Sequence, residues 1–195
     1  MPTHIVVDYG HGGSKPGAVY GGVEEKTVNL LTGNALYQAL HTHKPVDDLR
    51  VLLIRDGDYD VPLLSRCQMI NQCADTYGVD LAISVHYNAA GATGAKGFEV
   101  FYHPQSVEGR KIAGAILGAV RDGGFSLHGS GIKSTADLGR DLAFIHKTKI
   151  PAVLVEVGFL TNPQDLADAS SGAARERMAD RIAAGIWDYL KAKGA

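Results

Sequence analysis

Ala152-Val-Leu-Val-Glu-Val157 is the stretch from which the fold is read first. It is a short apolar run between Pro151 and Gly158, the pattern of a strand buried inside a sheet. Ile5-Val6-Val7, Arg50–Arg55, Leu81–Val85 and Phe98–Tyr102 repeat that pattern at intervals along the chain. Helices are predicted between them. One starts at Glu24 or Glu25 and runs to about Leu40, where acids at the start favour the positive end of the helix dipole. A second opens at Pro62 and runs to about Tyr77. Ile112, Ile116 and Val120 mark a third, and Met178, Ile182, Ile186 and Tyr189 line the last. Residues 123–140, with Gly123, Gly124, Gly129, Gly131 and Gly139, read as a loop, and Leu142–Ile145 as a short strand. Strands alternating with helices predict an α/β fold with a mostly parallel sheet, in one domain spanning residues 1–195.

Composition narrows the function classes. A chain of 195 residues buries about 70% of its unfolded surface, so neither disulfides nor a structural metal is needed for folding. Apolar residues at 45% and charged residues at 21% exclude a disordered chain. A net charge of −2 gives no electrostatic case for nucleic acid or an anionic membrane. No run approaches the roughly 18 apolar residues of a membrane span. The start, Met-Pro-Thr-His-Ile-Val-Val-Asp8, lacks the basic and apolar regions of a signal peptide. Cys67 and Cys73, six apart on one predicted helix, point away from each other and read as free thiols.

In open parallel sheets, ligands gather beyond the carboxyl ends of the strands. Three such ends carry metal-type side chains. Asp8-Tyr-Gly-His-Gly-Gly13 holds His11 in a glycine loop, Ser84-Val-His-Tyr-Asn-Ala89 places His86 at a strand end, and Glu156 interrupts the last apolar run. An ionised glutamate there is costly unless it is paired, solvated in a cleft or near a cation. Glu25 follows the His11 loop closely enough to reach it. Two histidines and a carboxylate with an open fourth position suit a catalytic zinc, which acidifies water and polarises a carbonyl. A second carboxylate would then serve as general base. Each residue also has a plainer role: a hydrogen-bonding loop histidine for His86, a helix-dipole partner for Glu25, a paired core glutamate for Glu156. Gly10, Gly12 and Gly13 could cradle a phosphate, but the P-loop Lys-Ser/Thr and the dinucleotide pattern are missing. His41 and His43 form a His-x-His pair that reads as solvated.

Taken together, Asp8-Tyr-Gly-His-Gly-Gly13, Gly22-Val-Glu-Glu-Lys26 with Asn29, Ser84–Ala89 and Pro151–Asn162 resemble the zinc-dependent N-acetylmuramoyl-L-alanine amidases of bacterial cell separation and phage endolysins. The resemblance covers residues 4–190. It implies a mixed sheet of about six strands flanked by helices, one Zn²⁺ held by His11, Glu25 and His86, and Glu156 as the catalytic carboxylate. The family glutamate precedes a lysine, which selects Glu25 over Glu24. The implied reaction is hydrolysis of the amide between the lactyl group of muramic acid and L-alanine of the peptidoglycan stem peptide, at the cell wall.

Two positions depart from the family pattern. Tyr9 stands where proline is frequent, and His146 where arginine is usual, so a substrate contact from that position does not carry over. Some members carry a helical plug over the metal site. Here only a few residues around Pro104–Glu108 join the Phe98–Tyr102 strand to its helix, so no protein activator is expected. With no cell-wall-binding module expected and no signal peptide in this chain, the sequence reads as a compact bacteriolytic phage endolysin, with a domain of a larger amidase whose leader has been removed as the alternative. The rivals are a zinc peptidase or deacylase acting on another amide, and a peptidoglycan-binding protein without turnover.

Overall fold

The structure is a computed structural model in which residues 2–42 and 48–194 are described. Its strands are β1 (Thr3–Tyr9), β2 (Val19–Tyr20), β3 (Val23–Glu24), β4 (Leu49–Leu53), β5 (Leu81–Asn88), β6 (Phe98–Tyr102), β7 (Leu127–Ser134) and β8 (Ala152–Phe159). Its helices are α1 (Glu25–Thr42), α2 (Leu63–Tyr77), α3 (Val107–Asp122), α4 (Thr135–Leu138), α5 (Ala143–His146), α6 (Pro163–Ser170) and α7 (Gly172–Lys193). Six strands form one sheet in the order β4-β1-β5-β8-β6-β7, and β2 and β3 make a separate small hairpin. All neighbours in the sheet run parallel except β6 and β8. The expected single α/β domain with a mostly parallel, mixed sheet is therefore what the chain builds.

Alternation along each strand supplies two cores. Ile5, Val7 and Tyr9 of β1, Ile83 and Val85 of β5, and Val153 and Val155 of β8 pack with residues of α1, α3 and α7. Val6, Ala82, Leu154 and Phe101 point the other way, against Ile70 of α2 and Phe144 and Ile145 of α5. This second face carries the polar strand-end residues.

Three sequence expectations are corrected. Residues 123–140 are not a loop: Leu127–Ser134 forms β7, an edge strand, and a capping box between Ser134 and Asp137 starts α4. Gly129 and Gly131 take positive φ there, and the register jumps so that Phe98 pairs with Leu127 but Val100 with Ile132. Such a bulged, glycine-containing strand has little intrinsic propensity and exists through its pairing with β6. Leu142–Ile145 is no strand: Ala143–His146 forms α5, because a short apolar run fits a buried helical turn as well as a strand. Helix α6 was not anticipated, although Asn162 caps it through Gln164 and Asp165 and Pro163 follows at its first turn. Both cysteines lie on α2 as free thiols. His41 is half-buried, with Nδ1 2.7 Å from the Tyr37 carbonyl oxygen, so it is not simply solvated; His43 lies outside the described residues.

Candidate metal and catalytic site

Strands β1, β5 and β8 are adjacent and parallel, so their carboxyl ends lie side by side. Asp8 is the register partner of Ser84, and His86 that of Glu156. By alternation all four side chains stand on the α2–α5 face, away from the Val7, Val85 and Val155 core. They open into a cavity of about 920 Å³ that is also lined by His11, Glu25, Arg66 and Arg140.

Glu25, almost fully buried at the start of α1, sits between two imidazoles. Its Oε2 is 3.1 Å from His11 Nε2 and its Oε1 2.9 Å from His86 Nδ1. The same carboxylate accepts hydrogen bonds from Ala18 N at 2.9 Å and Asn29 Nδ2 at 3.2 Å. Burial works against its charge, yet the hydrogen bonds to His11 and His86 outweigh it and hold the carboxyl well below the usual range. Glu24, the alternative in the sequence, turns away and lies 3.5 Å from Lys26 Nζ. Donor atoms of His11, Glu25 and His86 all fall within 4.8 Å of one another. One ion could touch all three, and two imidazoles with one carboxylate form a donor set of zinc type.

The loop carrying His11 has an unusual conformation. His11 adopts a positive φ of 61°, a region that non-glycine residues enter rarely. Two buried arginines hold it there. Arg66 pairs with Asp8 at 2.5 Å and donates to the carbonyls of Tyr9, at 2.6 Å, and of His11. Ser84 Oγ donates to the other Asp8 oxygen at 2.9 Å. Arg55, 1% exposed, donates to the carbonyls of Tyr9 at 2.6 Å, Gly57 at 2.8 Å, Gly10 at 2.9 Å and Lys26 at 3.2 Å. It thereby ties the His11 loop to the first turn of α1, next to Glu25. Two glycines leave room for this packing. A Cβ on Gly10 would stand 2.1 Å from the His86 ring, and one on Gly17 would stand 2.3 Å from Glu25 Oε2.

Glu156 differs. Its Oε2 is buried without a hydrogen-bond partner among the described residues. Burial, followed by the nearby charges of Glu25 and Glu99, raises its pKa well above the usual carboxylate value, and Arg140 opposes that rise. Glu99 is its register partner on β6. That neighbour is satisfied: Lys133 Nζ bonds its Oε1, and Asn88 Nδ2 donates to its Oε2 at 3.4 Å. The paired core glutamate considered for position 156 is thus found at 99.

Sequence reasoning identified the four residues that the cavity brings together and missed their supports. Glu99 carried the same signal as Glu156, an acid within an apolar strand, Phe98-Glu-Val-Phe-Tyr102. Arg55 closes the run Val-Leu-Leu-Ile, but nothing local says that its guanidinium folds inward. Of the other histidines, His4 stacks on Tyr77, and the His103 ring lies tilted against His146, which bonds Thr135 at 2.7 Å. None of these reaches the triad.

Comparison with known proteins bears on the family and the fold. A sequence profile of the N-acetylmuramoyl-L-alanine amidase family matches residues 5–188. The amidase CwlM of Bacillus licheniformis is 33% identical over 187 residues, covering 93% of this chain and 66% of that protein. The endolysin of Bacillus phage SPP1 is 29% identical, covering 99% of this chain and 68% of that one. A crystal structure of an N-acetylmuramoyl-L-alanine amidase from Clostridium difficile 630 superposes with a TM-score of 0.86 at 26% identity, covering 99% of each chain. The chain spans 66% of the length of CwlM and 58% of that of a sporulation-specific amidase of Bacillus subtilis.

Proposed function

We propose that this chain, which belongs to the N-acetylmuramoyl-L-alanine amidase family, hydrolyses the amide between the lactyl carbonyl of N-acetylmuramic acid and L-alanine of the peptidoglycan stem peptide. The observation that carries the reading is a buried carboxylate oxygen of Glu156, without a hydrogen-bond partner among the described residues, in the same cavity as the His11–Glu25–His86 cluster.

We read that cluster as the ligand set of a zinc ion. When bound, zinc supplies Lewis acidity, polarising the substrate carbonyl and acidifying water. Glu25 and the two histidines provide the donors, and Asn29 orients the carboxylate. Glu156 accepts the proton of the attacking water and returns it to the leaving alanine nitrogen, so the amine departs neutral. Its raised pKa suits both halves of that transfer. The enzyme acts at the bacterial cell wall, and its match to a phage endolysin along 99% of the chain supports a lytic role. Only His103–Ser106 separates β6 from α3, which supports a cleft that needs no activator protein.

The test is mass spectrometry of a defined muramoyl-peptide incubated with as-isolated, chelator-stripped and zinc-restored protein. Release of an intact peptide with a free L-alanine amine, lost on chelation and regained with zinc, is the expected result. Cleavage inside the peptide would instead identify a metallopeptidase. Zinc binding without cleavage would leave a peptidoglycan-binding protein.

A further inference from the structure

The cavity has a direction set by the order of the sheet. At the β4–β1 end it is lined by His11, Ser14, Lys15, Asp60 and Leu63; at the β8 end by Glu156, Asn88, Arg140 and Leu142. Resting on the amidase reading above, the direction also fixes which half of the substrate lies where. The group that returns a proton to the leaving nitrogen must stand nearer that nitrogen than the ligand cluster does. The stem peptide therefore leaves toward Glu156, and the muramoyl group lies toward the β4–β1 end.

Arg140 stands where that peptide would pass. It occupies the short link between α4 and α5 and is solvent-exposed. Among the described residues its guanidinium has no hydrogen-bond or ion-pair partner, whereas Arg66, the other guanidinium of the cavity, is committed to Asp8 and two carbonyls. The adjacent acid, Asp141, turns to His146 Nε2 at 3.3 Å and leaves Arg140 free. Glu99, the other nearby acid, is neutralised by Lys133. Glu156 lies within electrostatic reach of Arg140 but makes no bond to it, so the positive charge faces the cleft. Leu142, Ala143, Phe144 and Leu154 give this end an apolar wall that strengthens a charge-assisted contact.

We propose that Arg140 is a specificity-determining residue that binds the carboxylate of the residue following L-alanine in the stem peptide. In peptidoglycan that residue is a γ-linked D-glutamate whose α-carboxyl group is either free or converted to a carboxamide. A planar guanidinium can grip the free carboxylate with two parallel hydrogen bonds, whereas a carboxamide offers it one acceptor and no charge. The free carboxylate is therefore the preferred substrate, and Arg140 the source of the preference.

The experiment uses zinc-loaded full chain and two muramoyl-peptides that differ only in that carboxyl or carboxamide group. R140A should lower kcat/KM on the carboxylate peptide about tenfold, mostly through KM, and on the carboxamide peptide by no more than about twofold. R140K, which keeps the charge and loses the fork, should fall between. Equal losses on both peptides, or no loss on either, would overturn the proposal. The dipeptides L-alanyl-γ-D-glutamate and its carboxamide, prepared separately, are titrated in parallel by calorimetry. If the wild type cleaves neither muramoyl-peptide, the amidase reading fails. An Arg140-dependent preference for the carboxylate dipeptide would still sustain the subsite, and its absence would remove it.

Discussion

On the β1–α1 side of the cleft, Glu25 accepts hydrogen bonds from Ala18 and Asn29 and lies between two imidazoles. On the β8–β6 side, Glu156 keeps a buried oxygen with no partner among the described residues and has a second carboxylate as its register neighbour. The two side chains are chemically identical, and their environments move them in opposite directions. One region stabilises negative charge before any cation arrives, which suits the proposed ligand set. The other penalises charge, which suits the proposed role of a carboxylate that takes up a proton.

Removing a proposed ligand is the most severe way to break this contrast. Glu25→Ala should lower zinc affinity more than about 100-fold, beyond the usual loss from an outer-shell partner, and reduce turnover to background. Zinc content and muramoyl-peptide hydrolysis measure both effects. Glu156→Gln should leave zinc affinity near wild type and reduce kcat about 10²- to 10⁴-fold, the usual range for general acid–base groups. Near-normal turnover by this variant would end the assignment of the base. Arg55→Lys keeps a charge beneath the His11 loop but cannot reach four carbonyls, so zinc affinity should drop about 10- to 100-fold in a chelator competition.

The metal-free protein separates the two carboxylates by pH. Glu25 has a lowered folded pKa, so its stabilisation is present above the ordinary value of 4.5 and is lost as pH falls through the folded value. Glu156 has the opposite sign: its contribution is full below 4.5 and is lost as pH rises through its raised folded pKa. Metal-free Glu156→Gln should therefore melt above wild type at neutral pH, and the gap should close toward pH 4.5. Parallel Tm–pH curves for the two proteins would contradict this. The mildest effect on the site should come from far away. In Gly185→Ala the added Cβ meets Ile116 Cα at 2.4 Å where α7 crosses α3, costing about 1–3 kcal/mol of stability. Its zinc affinity should not change.

The parts of the molecule that were legible beforehand share one property, a strong local pattern. Ala152–Val157 and Leu81–Val85 are apolar enough to be strands in almost any context, and a histidine or glutamate at their ends stands out. Strand β7 lacked any such pattern, because Gly129 and Gly131 dilute it and its register is set by β6. Helix α5 is too short for periodicity to separate it from a strand. The choice of Glu25 over Glu24 rests on a resemblance; the structure puts Glu25 beside His11 and His86, because Glu24 pairs in the β2–β3 hairpin and faces Lys26 while Glu25 enters the helix facing inward.

The sequence alone determined the α/β class and the core strands, and it marked His11, His86, Glu156 and one acid of the Glu24–Glu25 pair as candidates for chemistry; the family resemblance chose Glu25. The class and the strands follow from side-chain polarity and periodicity, which act over a few residues and survive without knowledge of the rest of the chain. Only the tertiary structure decided that the surroundings of Glu25 would favour its charge while those of Glu156 would oppose it, that Arg55 and Arg66 would fix the His11 loop, and that Arg140 would line the cleft with no partner among the described residues. Each depends on burial and on groups distant in the chain, as when Arg66 meets Asp8 or Glu99 comes to lie beside Glu156. Electrostatic free energy is set by desolvation and neighbouring charges, and neither quantity exists until the chain has folded.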